Sequence, residues 1–138
     1  MTTSSITIEP IYVVDTNALI WYLTTNKKLS QRAASIFAAA ERGETRMYIS
    51  SVVIAEMYYA DKKWKLFEDF AQTYADLKTK SYIRFVPLIA DDVLDFDKDT
   101  AVPEMHDRII TGLARRLGAP LLTSDPLIIA AGIVTVAW

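Results

Sequence analysis

Short apolar runs rich in β-branched and aromatic residues alternate with longer segments whose apolar residues return every three or four positions. This alternation constrains the fold more than any other feature of the chain. Strand-like runs separated by helical stretches are the pattern of a parallel sheet covered by helices on both faces. The runs are IYVV at 11–14, MYIS at 47–50, IRFVP at 83–87, PLLT at 120–123 and IVTVA at 133–137. They are brief and lack internal glycine, as strands buried on both faces should be. The expected architecture is α/β, with a five-stranded parallel sheet.

Helix signals fill the intervals. Ser30 reads as the N-cap of a helix through QRAASIFAAAER, with Gly43 as its stop, and Ser51 as a cap for VVIAEMYYADKK. In WKLFEDFAQTYADL, Trp64, Phe67, Phe70, Ala71, Tyr74 and Leu77 recur at helical spacing, which predicts one helix with a wide apolar face packed in the core or a dimer. A surface that stacks RNA bases is the lesser reading of that stripe. EMHDRIITGLARRLG places Ile109, Ile110, Leu113, Ala114 and Leu117 on one face and ends at Gly118.

A chain of 138 residues with 51% hydrophobic content builds one core of ordinary size. Residues 11–138 read as that domain, and residues 1–10 as a leader, either flexible or adding an edge strand through SITIEP. The N-terminus has neither the basic nor the apolar region of a secretory signal, and the longest apolar stretch, 127–138, falls short of the about 20 residues a membrane span needs. A soluble, cytoplasmic protein is expected. With no cysteine, disulfides, thiolate metal sites and thiol nucleophiles are excluded. A net charge of −2 leaves no global basic field, so a nucleic-acid partner would have to be held locally.

Each helix of a right-handed βαβ sheet runs antiparallel to its strands, so helix N-termini gather at the edge where strands end, and ligands bind there. Asp15 follows the first strand and Asp125 follows LLTS. Glu56 lies about a turn into the helix after MYIS, and Asp107 in the first turn of the helix before PLLT. Four carboxylates from four separate segments therefore meet at one edge. Two unit charges ~4 Å apart repel by about 4 kcal/mol at an effective dielectric of 20. Oxygen donors favour Mg²⁺ or Mn²⁺ as the neutralising ion, and a single histidine argues against zinc. Such an ion meets the needs of metal-assisted phosphodiester hydrolysis, and helix N-termini favour an anionic substrate. Taken singly, Asp15 and Asp125 are good helix caps, the latter with Pro126 at the first helical position, and Asp107 suits a helix dipole. A salt bridge to an arginine is the plain alternative for Glu56. The convergence favours a shared site.

These motifs resemble the PIN-domain family, specifically the VapC-like toxins of toxin–antitoxin pairs, over nearly the whole chain from Ile11 to Trp138. VVDTNALIWYL is similar to the opening strand with its acid Asp15, and YISSVVIAEMYYA to the segment carrying Glu56. MHDRIITGLARRLGAPLLTSD, with Asp107 and Asp125, has the most specific spacing, and GIVTVAW resembles the ending of one branch. The resemblance implies a three-layer α/β/α sandwich and a Mg²⁺- or Mn²⁺-dependent endoribonuclease. It implies direct metal ligation by Asp15, Asp107 and Asp125, with Glu56 binding metal or orienting water. Asn17, with Thr123 or Ser124, would fix the carboxylates by hydrogen bonds. It further implies a homodimer, an RNA substrate and a cognate antitoxin whose arginine pairs with the acids.

Other residues carry weaker expectations. Arg108, Arg115 and Arg116 could contact phosphate, as could Lys62, Lys63 and Lys65 at a helix–helix junction, but solvated surface is the expected state of each. His106 is expected to be structural. A receiver-like phosphoacceptor domain, supported by Asp15 and the pair Asp91–Asp92, is the alternative from signalling, and a non-catalytic RNA-binding module is a third reading.

Overall fold

The computed structural model describes residues 7–138. Five strands, β1 (Ile11–Val14), β2 (Arg46–Ser50), β3 (Ile83–Val86), β4 (Leu121–Leu122) and β5 (Val136–Ala137), form one sheet in the order β3-β2-β1-β4-β5. Every pairing is parallel. Helices α1 (Thr16–Leu23), α2 (Gln31–Glu41), α3 (Ser51–Trp64), α4 (Phe70–Thr79), α5 (Met105–Leu117) and α6 (Pro126–Ala131) connect the strands, with a 3-10 segment at Ala90–Asp99. This is the helix-flanked parallel sheet that the alternation predicts. Strand order runs outward from β1 to β3 and then resumes at β4 on the other side of β1, so the topological switch lies between β1 and β4. Parallel sheets open a crevice at such a point, beyond the strand C-termini.

The centre of the sheet is the driest part of the molecule. Val13, Val14, Met47, Ile49, Leu121 and Leu122 are fully buried, as are Ile36 and Phe37 of α2 and Ile110 of α5. At about 25 cal/mol per Å² of apolar surface removed from water, this burial fixes β1 and β4 as the frame on which their C-terminal residues are mounted. Backbone bonds continue the frame past the strands, with the Asp15 N–H donating to the Leu122 carbonyl at 3.0 Å.

Helix ends follow local chemistry with two corrections. Ser30 Oγ accepts from the Ala33 N–H at 3.0 Å, and Gly43 beyond α2 takes φ +79°. The cap of α3 is Ser50 rather than Ser51: Ser50 Oγ accepts from Val52 N–H, while Ser51 Oγ accepts from Leu88 N–H at 3.2 Å. The helix expected across 64–77 is two helices. Lys65 takes the left-handed conformation (φ 52°) and ends α3, and α4 begins at Phe70. Asp61 drives the break by accepting the Lys65 N–H on its carbonyl and the Phe67 N–H on its carboxylate, while Leu66 and Phe67 turn back onto the core. Of the expected apolar face only Leu77 is buried, and Trp64 is left in solvent. On α5, Ile109 to Ala114 are buried but Leu117 is largely exposed.

Of the leader, residues 1–6 lie outside the described residues. Residues 7–9 carry no strand but are tied down: Tyr12 Oη donates to the Thr7 carbonyl, Glu9 N–H donates to Tyr12 Oη, and Thr45 Oγ1 donates to the Glu9 carbonyl. Among the described residues no helix is long and apolar enough to cross a membrane.

Candidate functional site

Asp15 ends β1 at the switch point and is 8% exposed. As the N-cap of α1 its Oδ1 accepts the Thr16 N–H at 2.7 Å, and its Oδ2 accepts the buried Thr123 hydroxyl at 2.6 Å. Thr123 Oγ1 in turn accepts the Asp125 N–H at 3.0 Å, so one hydroxyl on the β4 side locks the two aspartates to each other. Asp125 caps α6, accepting the Leu127 N–H at 2.8 Å, with Pro126 at the first helical position.

Glu56 stands in the second turn of α3 and is held at both oxygens. Thr16 Oγ1 donates to Oε1 at 2.5 Å, and His106 Nδ1 lies 3.4 Å from Oε2. The same imidazole nitrogen lies 3.4 Å from Glu104 Oε1, and Glu104 caps α5 by accepting the His106 N–H at 2.6 Å. Asp107 follows in the first turn of α5. Asp15 at the N-cap of α1, Glu56 in the second turn of α3 and Asp107 in the first turn of α5 thus lie at one edge.

Electrostatics reports the crowding. Burial, then the charges of Asp15, Asp125, Glu104 and Glu56, pushes the Asp107 carboxyl up to about 7. Burial also raises Asp15, against the opposing pull of its bonds from Thr123 and Thr16, with Glu56 and Asp125 adding to the rise. Among the described residues no lysine or arginine pairs with any of these acids. The molecule treats its other acidic cluster differently. Asp92, Asp95 and Asp99 along the 3-10 segment are matched by Arg115 and Arg116 of α5.

Carboxylate oxygens without a lysine or arginine partner are the donors a hard divalent cation prefers. The donor chemistry of Asp15, Glu56, Asp107 and Asp125 suits such an ion, while the described residues whose ligand atoms already lie within 4.8 Å of one another are Glu56, Glu104 and His106. Cavities of about 450 and 480 Å³ are lined by residues such as Arg32, Arg115 and Thr135, and Tyr22, Leu29 and Ala38, and neither holds any of the four acids.

The supporting residues match the expected ones in part. Asn17 is exposed, and the neighbour that reaches a carboxylate is Thr16, one position earlier. Thr123 rather than Ser124 bonds Asp15. Glu56 pairs with Thr16 and His106, not with an arginine. Arg108 donates to the carbonyls of Val102 and Thr100, and Arg115 and Arg116 bind aspartates, so none of the three is free solvated surface. Glu104 was not anticipated; the signal was available, since an acid three positions before Asp107 at a helix start is a capping residue aimed at the same edge. Asp91 and Asp92 lie in the 3-10 segment beyond the edge strand β3, where Asp92 accepts the Ile89 N–H and pairs with Arg116.

Comparison with known proteins agrees with this architecture. No curated protein sequence matches the chain. Among solved structures, VapC20 of Mycobacterium tuberculosis, a sarcin–ricin-loop-cleaving toxin, is similar with TM-score 0.70 and 16% identity over 92% of this chain and 99% of that one. VapBC2 of Rickettsia felis, bound to a promoter DNA fragment, is similar at TM-score 0.64 and 18% identity (91% and 96% covered). FitAcB of Neisseria gonorrhoeae is similar at TM-score 0.64 and 15% identity (91% and 95% covered). At these identities the likeness is one of fold. Residues 12–132 match the PIN domain model itself, a span that contains all four convergent acids, and the chain therefore belongs to the PIN-domain family.

Proposed function

We propose that this protein is a Mg²⁺- or Mn²⁺-dependent endoribonuclease and the toxin of a toxin–antitoxin pair. The observation that carries the reading is the gathering of Asp15, Glu56, Asp107 and Asp125 at the switch-point edge with, among the described residues, no lysine or arginine paired to them. Family membership supports nuclease chemistry, and the solved neighbours supply the toxin context, one of them named as cleaving the sarcin–ricin loop and another seen with its partner on promoter DNA.

Asp15, Asp107 and Asp125 would hold the ion, with Glu56 completing the set or orienting the attacking water. The bound ion supplies charge neutralisation and water activation for phosphodiester hydrolysis. Thr123 orients the Asp15 carboxylate and holds the Asp125 backbone, and Thr16 holds Glu56, so these groups are ordered before substrate arrives. The N-termini of α1 and α5 present their positive dipole ends to the phosphate. In-line attack by water oxygen on phosphorus breaks the bond to the 3′-oxygen, which leaves protonated, giving a 5′-phosphate and a 3′-hydroxyl. A cognate antitoxin placing an arginine among the acids would supply the missing counter-charge and inhibit, and a homodimer is the expected assembly.

Purified Asp15→Asn and Asp107→Asn variants should lose Mn²⁺-dependent RNA cleavage while keeping the circular dichroism spectrum of the parent. Cleavage retained in both would refute the reading. Divalent-ion binding without cleavage of any RNA would instead favour the non-catalytic module.

A further inference from the structure

Outside the carboxylate cleft, the most unusual surface is the far end of α3. Tyr59 is 72% exposed, Trp64 66% and Tyr58 41%. Three lysines, Lys62, Lys63 and Lys65, stand among these rings. Lys62 Nζ lies 5.2 Å from the centre of the Tyr58 ring, and Lys63 Nζ lies 5.0 Å from the centre of the Trp64 ring. None of the three lysines has a salt-bridge partner among the described residues, while the nearby carboxylates of Asp61 and Asp69 accept the backbone N–H groups of Phe67 and Gln72.

We infer that this cluster is a binding track for single-stranded RNA, leading along α3 from Trp64 to the carboxylates. The inference rests on the nuclease reading for its substrate class and adds the surface that holds the strand. Glu56, Tyr59 and Lys63 recur at spacings of three and four residues and so share one side of α3. At 1.5 Å per residue, Trp64 lies about 12 Å along the helix from Glu56, a distance a few nucleotides bridge. The helix dipole accounts for lysines at a C-terminus but not for large rings left in solvent beneath them. Protein interfaces deplete lysine, whereas a phosphate backbone recruits it and unpaired bases stack on exposed aromatic faces, so the composition favours RNA over a protein occupant. The chain's net charge of −2 makes a local device necessary, because strongly acidic surroundings at the cleft repel RNA.

The test is fluorescence anisotropy of labelled oligouridine binding to the full chain carrying Asp107→Asn, with Mn²⁺ present. Adding Trp64→Ala should weaken binding by about 5-fold or more, the loss of one stacked base. Adding Lys62→Gln with Lys63→Gln should reduce the slope of log affinity against log salt by about 1.4, from two lost single-strand phosphate contacts. Thermal midpoints of both should match the parent, since the side chains are exposed. Unchanged affinity and slope in both variants, or no binding by the parent, overturns the inference. So does unchanged RNA binding accompanied by loss of a protein partner encoded beside the gene, which would make this face a protein interface. Continued RNA cleavage by the Asp107→Asn chain would count against the metal-site reading alone, because the track is scored by binding.

Discussion

Asp107 shows how a single residue registers the whole cleft. In an unfolded chain its carboxyl titrates near 4, whereas burial and four neighbouring acids push it up to about 7 in the fold. Between those values the folded chain holds a proton that the unfolded chain has released. Stability is therefore complete below about pH 4 and falls as pH rises through about 7. Without divalent ions the thermal midpoint should decline over that window, by roughly 4 °C for each kcal/mol that survives solvent screening of this half-exposed group. Asp107→Asn should flatten the decline. Scanning fluorimetry in EDTA across pH 4 to 8 measures it, and a flat wild-type profile would contradict the burial argument. Residue identity at this scale was partly legible: the four acids stood out by position. Of their supports Thr123 was named, but Thr16 was not, because whether Thr16 or Asn17 reaches Glu56 depends on a rotation of one residue about α1.

At the scale of elements, the 3-10 segment and α5 form a clamp that local pattern did not announce. Asp99 is fully buried and takes two bonds from Arg115, at 3.0 and 3.3 Å, and Asp95 binds Arg116 at 3.1 Å. Gly112 makes the approach possible, because a Cβ there would sit 3.0 Å from Asp99 Oδ2. Arg115→Met leaves the Asp99 charge buried without its bidentate partner and should cost about 3 kcal/mol in urea denaturation; a loss below about 1 kcal/mol would show that Asp95 and Arg116 suffice. Gly112→Ala should cost about 1–3 kcal/mol in the same measurement through overpacking against a side chain that Arg115 prevents from moving. The strands, by contrast, were readable, since IYVV and IRFVP carry the β-branched and aromatic composition of buried strands. The break at Lys65 was not readable. Lysine has no preference for the left-handed conformation, and the one signal of a second helix in WKLFEDF is Asp69, the N-cap that accepts the Gln72 N–H.

For the molecule as a whole, the proposed metal site would couple stability to cations. A divalent ion at a hundred times its dissociation constant should stabilise the fold by about 2.7 kcal/mol. The gain should be larger at pH 8 than at pH 5, since protons compete for the same carboxylates. Denaturation with and without Mn²⁺ checks this, and the effect should vanish in Asp15→Asn. Equal stabilisation of that variant would place the ion elsewhere.

Five parallel strands, the caps at Ser30 and Asp125 and the grouping of the acids toward one edge could be read from the chain alone. These follow from short-range periodicity and capping chemistry, and from the handedness of βαβ connections, none of which needs knowledge of distant contacts. The folded chain was needed to see that Thr123 joins Asp15 to Asp125, that Thr16 and His106 hold Glu56, that Arg115 serves Asp99 rather than phosphate, and that Trp64 faces solvent. Each of those outcomes turns on which side chains meet across more than a dozen residues of chain or on the backbone of a single turn. Such contacts are set by the packing of the assembled layers, which no local window of sequence contains.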